Sequence, residues 1–197
     1  MMKMRTSKIE RKTKETQISL ELNLDGTGRS EIDTPLKFLN HMLENFSKHS
    51  RFDLRIMAKG DVEVDDHHLV EDLGICLGLA LEKALGEKRG ICRMGNASVP
   101  LDDALATVAL DLSGRGYAKV DIQFSEFKDA KLGDLTKENI PHFFESFAIN
   151  GKFNLHMKVE GKNDHHKVEA CFKALAKALY DATRIIGEGI PSTKGMV

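Results

Sequence analysis

Two stretches decide how this chain is read: DDHHLVED at 65–72 and NDHHKVEA at 163–170. Both carry D-H-H-x-x-E, and Asp66 and Asp164 lie 98 residues apart, about half of the 197-residue chain. Upstream, HMLENFSKHSRFDL from His41 matches HFFESFAINGKFNL from His142 at an offset of 101. Further back, LNLDGTG at 22–28 matches LDLSGRG at 110–116 at an offset of 88. Three echoes in one order indicate an internal duplication. The three-residue change of offset falls around Val62–Val64, where the first copy is expected to have a longer strand region.

Each copy reads the same way. The alternation of Leu20, Leu22 and Leu24, and of Val108, Leu110 and Leu112, predicts a strand ending at a glycine-bearing turn, with a partner strand after it. Thr34 and Pro35 then suggest an N-cap and first helical turn, followed by the apolar stripe Leu39, Met42, Leu43 and Phe46. A period-two strand comes next, with Phe52, Leu54 and Ile56 in one copy and Phe153, Leu155 and Met157 in the other. The D-H-H motif opens a long helix. Its buried face is Leu69, Leu73, Leu77, Ala80 and Leu81, with Gly86 at its end, or Val168, Phe172, Leu175, Ala176 and Leu179 in the second copy. The expected fold is α+β, a small sheet plus two helices used twice. The halves, 1–90 and 91–197, form one compact duplicated domain.

Composition removes several classes. With 29 Lys+Arg against 30 Asp+Glu, the chain lacks the basic excess of a nucleic-acid binder. No apolar run approaches the roughly 20 residues that span a bilayer. The basic N-terminus lacks the apolar stretch of a secretory signal, so a cytoplasmic protein without membrane partners is expected. Cys76, Cys92 and Cys171 are odd in number and scattered, as reduced thiols would be.

The histidines carry the chemistry. Successive helical residues point about 100° apart, whereas residues three or four apart share a face. Glu71 therefore lies near both His67 and His68, and Glu169 near both His165 and His166, yet neighbouring rings cannot easily meet at one point. One motif can feed two metal centres, and two motifs can close both. His41 and His142 would add a ligand each, giving six imidazoles and two carboxylates. That set, free of thiolate, suits Mn, Fe, Co, Ni or Zn. His49 and His156 align with Asn150 and Arg55 and fall outside the pattern. Arg93 beside a glycine-bounded turn, Arg115 in SGRG, Lys173 one turn beyond Glu169, and Ser192 and Lys194 in PSTKG are cations and a hydroxyl suited to a phosphate.

Taken together, FLNHML (38–43), DDHHLVED, DLSGR (111–115), HFFESFA (142–148), NDHHKVEACFKA (163–174) and PSTKG (191–195) resemble the imidazoleglycerol-phosphate dehydratase family, from about Glu15 to Gly195. Asn40 stands where that family usually has Asp, and Met94 replaces a common aromatic. The resemblance implies a fold like the second domain of ribosomal protein S5, repeated twice. It implies a hydro-lyase of histidine biosynthesis that converts D-erythro-imidazole glycerol phosphate to imidazole acetol phosphate. It also implies two Mn²⁺ per site, one ligand group being His41, His67, His68 and Glu71, the other His142, His165, His166 and Glu169. Phosphate contacts would come from Arg93, Arg115, Lys173, Ser192 and Lys194. Glu15 matches the family's substrate-contacting acid and is the expected proton shuttle, ahead of Glu71 or Glu169, because a coordinated carboxylate is a poor base. The family forms a homo-oligomer of twenty-four chains with sites at subunit contacts.

Two other readings stay open. A dinuclear phosphate-ester hydrolase would normally use more carboxylates, and here imidazoles outnumber them six to two. A metal-storage protein would have no need of the phosphate-type cations.

Overall fold

The computed structural model describes residues 4–125 and 129–195. Its first sheet starts with a hairpin, β1 (Thr6–Lys12) antiparallel to β2 (Thr16–Asn23), with Ile9 opposite Leu20. Sequence alternation gave no sign of β1, because two of its inward residues are polar. Ser7 donates to the Ala80 carbonyl at 2.8 Å, and Arg11 donates to Asp72, also at 2.8 Å. A polar inward face is stable only with such partners, and it hides the hydrophobic period.

The strand after the glycine turn, β3 (Ser30–Asp33), does not pair with β2. It lies parallel to β4 (Asp53–Gly60), reached through helix α1 (Lys37–Ser50), so the sheet order is β1-β2-β4-β3. Parallel neighbours need a crossover of this kind. The long helix α2 (His67–Leu85) follows and ends at Gly86, whose φ of 56° suits a residue without a Cβ. The second half repeats the plan. β5 (Met94–Leu101), β6 (Ala104–Asp111), β7 (Tyr117–Ile122) and β10 (Asn154–Glu160) form a sheet of order β5-β6-β10-β7, with β10 parallel to β7. Between β7 and β10 come a small hairpin, β8 (Lys131–Leu132) with β9 (Leu135–Thr136), and helix α3 (Asn139–Asn150). Helix α4 (Asp164–Thr183) follows β10. The duplicated α+β architecture expected from the motifs is the one observed.

Two local expectations are corrected. Residues 61–65 do not lengthen a strand. β4 stops at Gly60, and the extra residues turn back with the Val64 N–H donating to the Asp61 carbonyl at 2.8 Å. Thr34 does not cap α1 either. Its hydroxyl donates to Asn40 Oδ1 at 2.7 Å, while Asp134, from the β8–β9 turn, accepts the free N–H groups of Lys37 and Phe38. A carboxylate from the other half thus satisfies the helix start that Thr34 leaves open.

The helices pair across the halves, α2 with α3 and α1 with α4, while α2 also covers β1 and β2 and α4 covers β5 and β6. Gly74 and Gly78, one turn apart on α2, permit the first pairing. A Cβ on Gly78 would sit 2.6 Å from the Gly151 nitrogen, and one on Gly74 would sit 2.8 Å from the Phe143 carbonyl oxygen. Phe143, Phe144 and Phe147 on α3 cluster with Phe172 on α4, with ring centroids 4.7–6.4 Å apart. Each such buried ring stabilises the fold by about 1.5–3 kcal/mol. No helix of the described residues is long and apolar enough to cross a membrane.

Candidate metal centre

Because helices pair between halves, the upstream histidines cross over. His41 on α1 meets His165 and Glu169 on α4, and His142 on α3 meets His67 and Glu71 on α2. In each trio one ligand atom per residue lies within 4.8 Å of the others. His142 Nε2 is 3.2 Å from Glu71 Oε1. His165 Nε2 and His41 Nε2 are 3.1 and 3.5 Å from Glu169 Oε2. The grouping of His41 with His67, His68 and Glu71, and of His142 with His165, His166 and Glu169, is therefore corrected within the single chain. The reason is helix pairing: α1 lies beside α4, not α2.

The second histidine of each motif turns away, as the 100° step requires. His68 Nδ1 lies 3.1 Å from Asp61 Oδ2, and its Nε2 is 4.0 Å from Glu15 Oε1. The hydrogen bond to Asp61, reinforced by the charge of Glu15, raises the His68 pKa despite an opposing desolvation effect. His166 Nδ1 lies 2.7 Å from Asp103 Oδ1, and this bond, with the Lys162 and Asn163 N–H groups, holds Asp103 far below the usual carboxylate range. Metal-binding imidazoles commonly hold their other ring nitrogen in this way, on a carboxylate or amide oxygen. His67 does so through Asn139 Oδ1, 3.0 Å from its Nδ1.

The helix starts are anchored by the motif aspartates. Asp66, 2% exposed, accepts from Thr136 and Asn139. Asp164, 1% exposed, lies 2.9 Å from both Lys137 Nζ and Lys167 Nζ. Asp61, Asp103 and Asn139 were not singled out in the sequence, and the two motif aspartates, though named there, were given no role. Asp103 was within reach, since the offset of 88 aligns it with Glu15, and both sit in the hairpin turn beside their half's second histidine. The other contacts depend on tertiary packing that no local pattern encodes.

The anion-binding candidates divide in two. Arg93 donates to both oxygens of Asp111, at 2.7 and 3.0 Å, and to the Pro191 carbonyl at 2.8 Å. That last bond draws Ser192 and Lys194 toward Arg93, and the Leu112 N–H bonded to the Arg93 carbonyl brings the turn carrying Arg115 to the same end of the second sheet. Lys173 is elsewhere, with its Nζ 2.6 Å from Glu169 Oε1. Burial alone would raise the Glu169 pKa, but Lys173, His165 and His41 together hold it below its ordinary value. No hydrogen bond or ion pair among the described residues joins Lys173 to the Arg93 group. His49 and His156 lie outside both trios, His156 being on β10 with its ring 5.6 Å from that of Tyr117.

Fold and clusters define a class: duplicated α+β chains in which each helix pair assembles two histidines and a glutamate from opposite halves. A sequence model of imidazoleglycerol-phosphate dehydratase matches residues 34–179. The imidazoleglycerol-phosphate dehydratase of Methanothermobacter thermautotrophicus is 54% identical over 195 residues, covering 99% of each chain. That of Methanocaldococcus jannaschii is also 54% identical, covering 98% of this chain and 96% of its own. The Pyrococcus furiosus enzyme, solved in complex with (S)-C348, superposes with a TM-score of 0.83 at 40% identity, over 96% of this chain and all of that one. The Staphylococcus aureus enzyme gives 0.81 at 35%, over 91% and 99%. The chain belongs to the imidazoleglycerol-phosphate dehydratase family of hydro-lyases.

Proposed function

We propose that this chain dehydrates D-erythro-imidazole glycerol phosphate to imidazole acetol phosphate in histidine biosynthesis, at a site holding two Mn²⁺. The observation that carries this reading is the pair of histidine–histidine–glutamate trios built across the duplication. Their donors fit a divalent first-row ion: imidazole nitrogens and carboxylate oxygens, with His67 Nδ1 tied to an amide oxygen, while His68 and His166, outside the trios, hold theirs on aspartates. Divalent ions bound there would supply positive charge that favours a deprotonated azole ring, as it does for bound water.

The chain's own groups do the rest. His67, Glu71 and His142 would hold one ion, and His41, His165 and Glu169 the other. His68 and His166 point away from both trios with Nδ1 already bound to aspartate, so each has Nε2 to lend to a second copy. That supports the homo-oligomer, of twenty-four chains in the family pattern, with sites completed at subunit contacts. Glu15, beside His68, would carry the proton removed from the glycerol carbon. Arg115, Ser192 and Lys194 would bind the phosphate. Arg93 would do so with the two guanidinium N–H groups it keeps free, while fixing the tail segment. Lys173 would contribute from the Glu169 side. A cytoplasmic location accords with this biosynthetic role.

The test is direct. The purified chain is incubated with Mn²⁺ and imidazole glycerol phosphate, and imidazole acetol phosphate is the expected product. Manganese binding without turnover would favour the storage reading, and release of inorganic phosphate would favour the hydrolase.

A further inference from the structure

The two trios are related by the duplication, yet their histidines are held by different chemistry. Asn139 Nδ2 donates to Asp66 Oδ2 at 3.1 Å, and the Thr136 N–H donates to the same oxygen at 2.8 Å. Asp66 and Asn139 are both buried. An oxygen that takes a backbone N–H is an acceptor, so the amide must turn its NH₂ toward Asp66 and its oxygen toward His67 Nδ1. An amide oxygen only accepts. His67 Nδ1 therefore carries the hydrogen, and Nε2 presents the lone pair on the side of Glu71 and His142, whose ring stacks on His67 at 4.9 Å.

The offset of 101 that pairs His41 with His142 pairs Asn139 with Phe38. Phe38 also touches its histidine, edge to face with His165 at 5.2 Å and 88°, but a phenyl ring offers no oxygen to fix a tautomer. Thr136, which braces Asp66, aligns with Pro35. Among the described residues, the polar relay from Thr136 through Asp66 and Asn139 to His67 exists in one trio and not in the other.

We propose that Asn139 is a positioning residue that locks His67 in the Nδ1–H tautomer, so that the His67–Glu71–His142 centre alone depends on this amide for its metal affinity. The proposal rests on the reading of the trios as metal sites, and the experiment separates the two. Mn²⁺ alone is titrated into chelator-treated full-length protein while free Mn²⁺ is followed by electron paramagnetic resonance. Wild type that takes up no manganese contradicts the metal reading itself.

Given two Mn²⁺ per wild-type chain, Asn139→Ala should weaken one by about 10–100-fold and leave the other unchanged. Asn139→Asp retains an acceptor oxygen and should fall between wild type and Asn139→Ala. Equal weakening of both ions, no weakening of either, or identical behaviour of the two variants overturns the proposal. A measurement on the unmutated fold does not depend on the variants folding. Nitrogen-15 spectra of histidine-labelled, metal-free protein, with the His67 signals assigned by His67→Asn, should show the Nδ1–H form. The Nε2–H form overturns the proposal.

Discussion

His41 Nε2 lies 3.5 Å from Glu169 Oε2, although the two residues belong to opposite halves of a duplicated chain. The contact exists because α1 packs on α4. It puts His41 in one side-chain cluster with Glu169 and leaves His142 with Glu71.

Metal content should follow that pairing. His41→Ala and Glu169→Gln should each cost one bound Mn²⁺ per chain, and the double variant should also cost only one. His41→Ala combined with Glu71→Gln should cost both. Elemental analysis after gel filtration reads the difference, and effects that depend on sequence proximity instead would refute the crossed arrangement.

Much of this was legible in the sequence, and the limits have physical causes. Leu20, Leu22 and Leu54 announce their strands because one face is apolar, whereas β1 turns Ser7 and Arg11 inward and shows no period. The D-H-H motifs mark the helix starts and four of the six candidate imidazoles, and the repeat offset of 101 marks His41 and His142. Which partners His41 and His142 meet depends on helix packing, α1 on α4 and, through Gly74 and Gly78, α2 on α3, rather than on repeat register. Asp134 capping α1 from 97 residues away has no local signature.

The close approach of α2 to α3 should tolerate no side chain at Gly78. Gly78→Ala should destabilise the fold by about 1–3 kcal/mol through overpacking. Gly187→Ala, with no atom within 4 Å of its Cβ, should stay within about 0.5 kcal/mol of wild type. Denaturant titration of both variants checks the contrast; equal effects would mean the helices can part at little cost.

The two arginines should separate in kinetics and stability. Arg115→Ala, whose exposed side chain makes no ion pair among the described residues, should raise KM and leave the melting temperature nearly unchanged. Arg93→Ala should raise KM and also lower the melting temperature, because Asp111 and the Pro191 carbonyl lose their partner. Steady-state kinetics and thermal unfolding, run together, decide this.

Acid should loosen the N-terminal hairpin through Asp25. The Arg5 guanidinium and the Arg5 N–H, both hydrogen-bonded to it, hold the Asp25 carboxyl below its usual range. A folded value below the unfolded one, about 3.9, means the stabilisation is complete above that unfolded value and fades as pH falls toward the folded one. Asp25→Asn should therefore be less stable than wild type at neutral pH, with the gap closing on acidification below about pH 4. A gap independent of pH would remove this pair from the acid response.

The crossed assembly of the two centres is tested most directly by anomalous diffraction at the manganese edge from crystals of the Mn²⁺-loaded protein. Two peaks are predicted, one touching His67, Glu71 and His142, the other touching His41, His165 and Glu169. Peaks that join His41 to Glu71, or His142 to Glu169, within one chain would contradict the account.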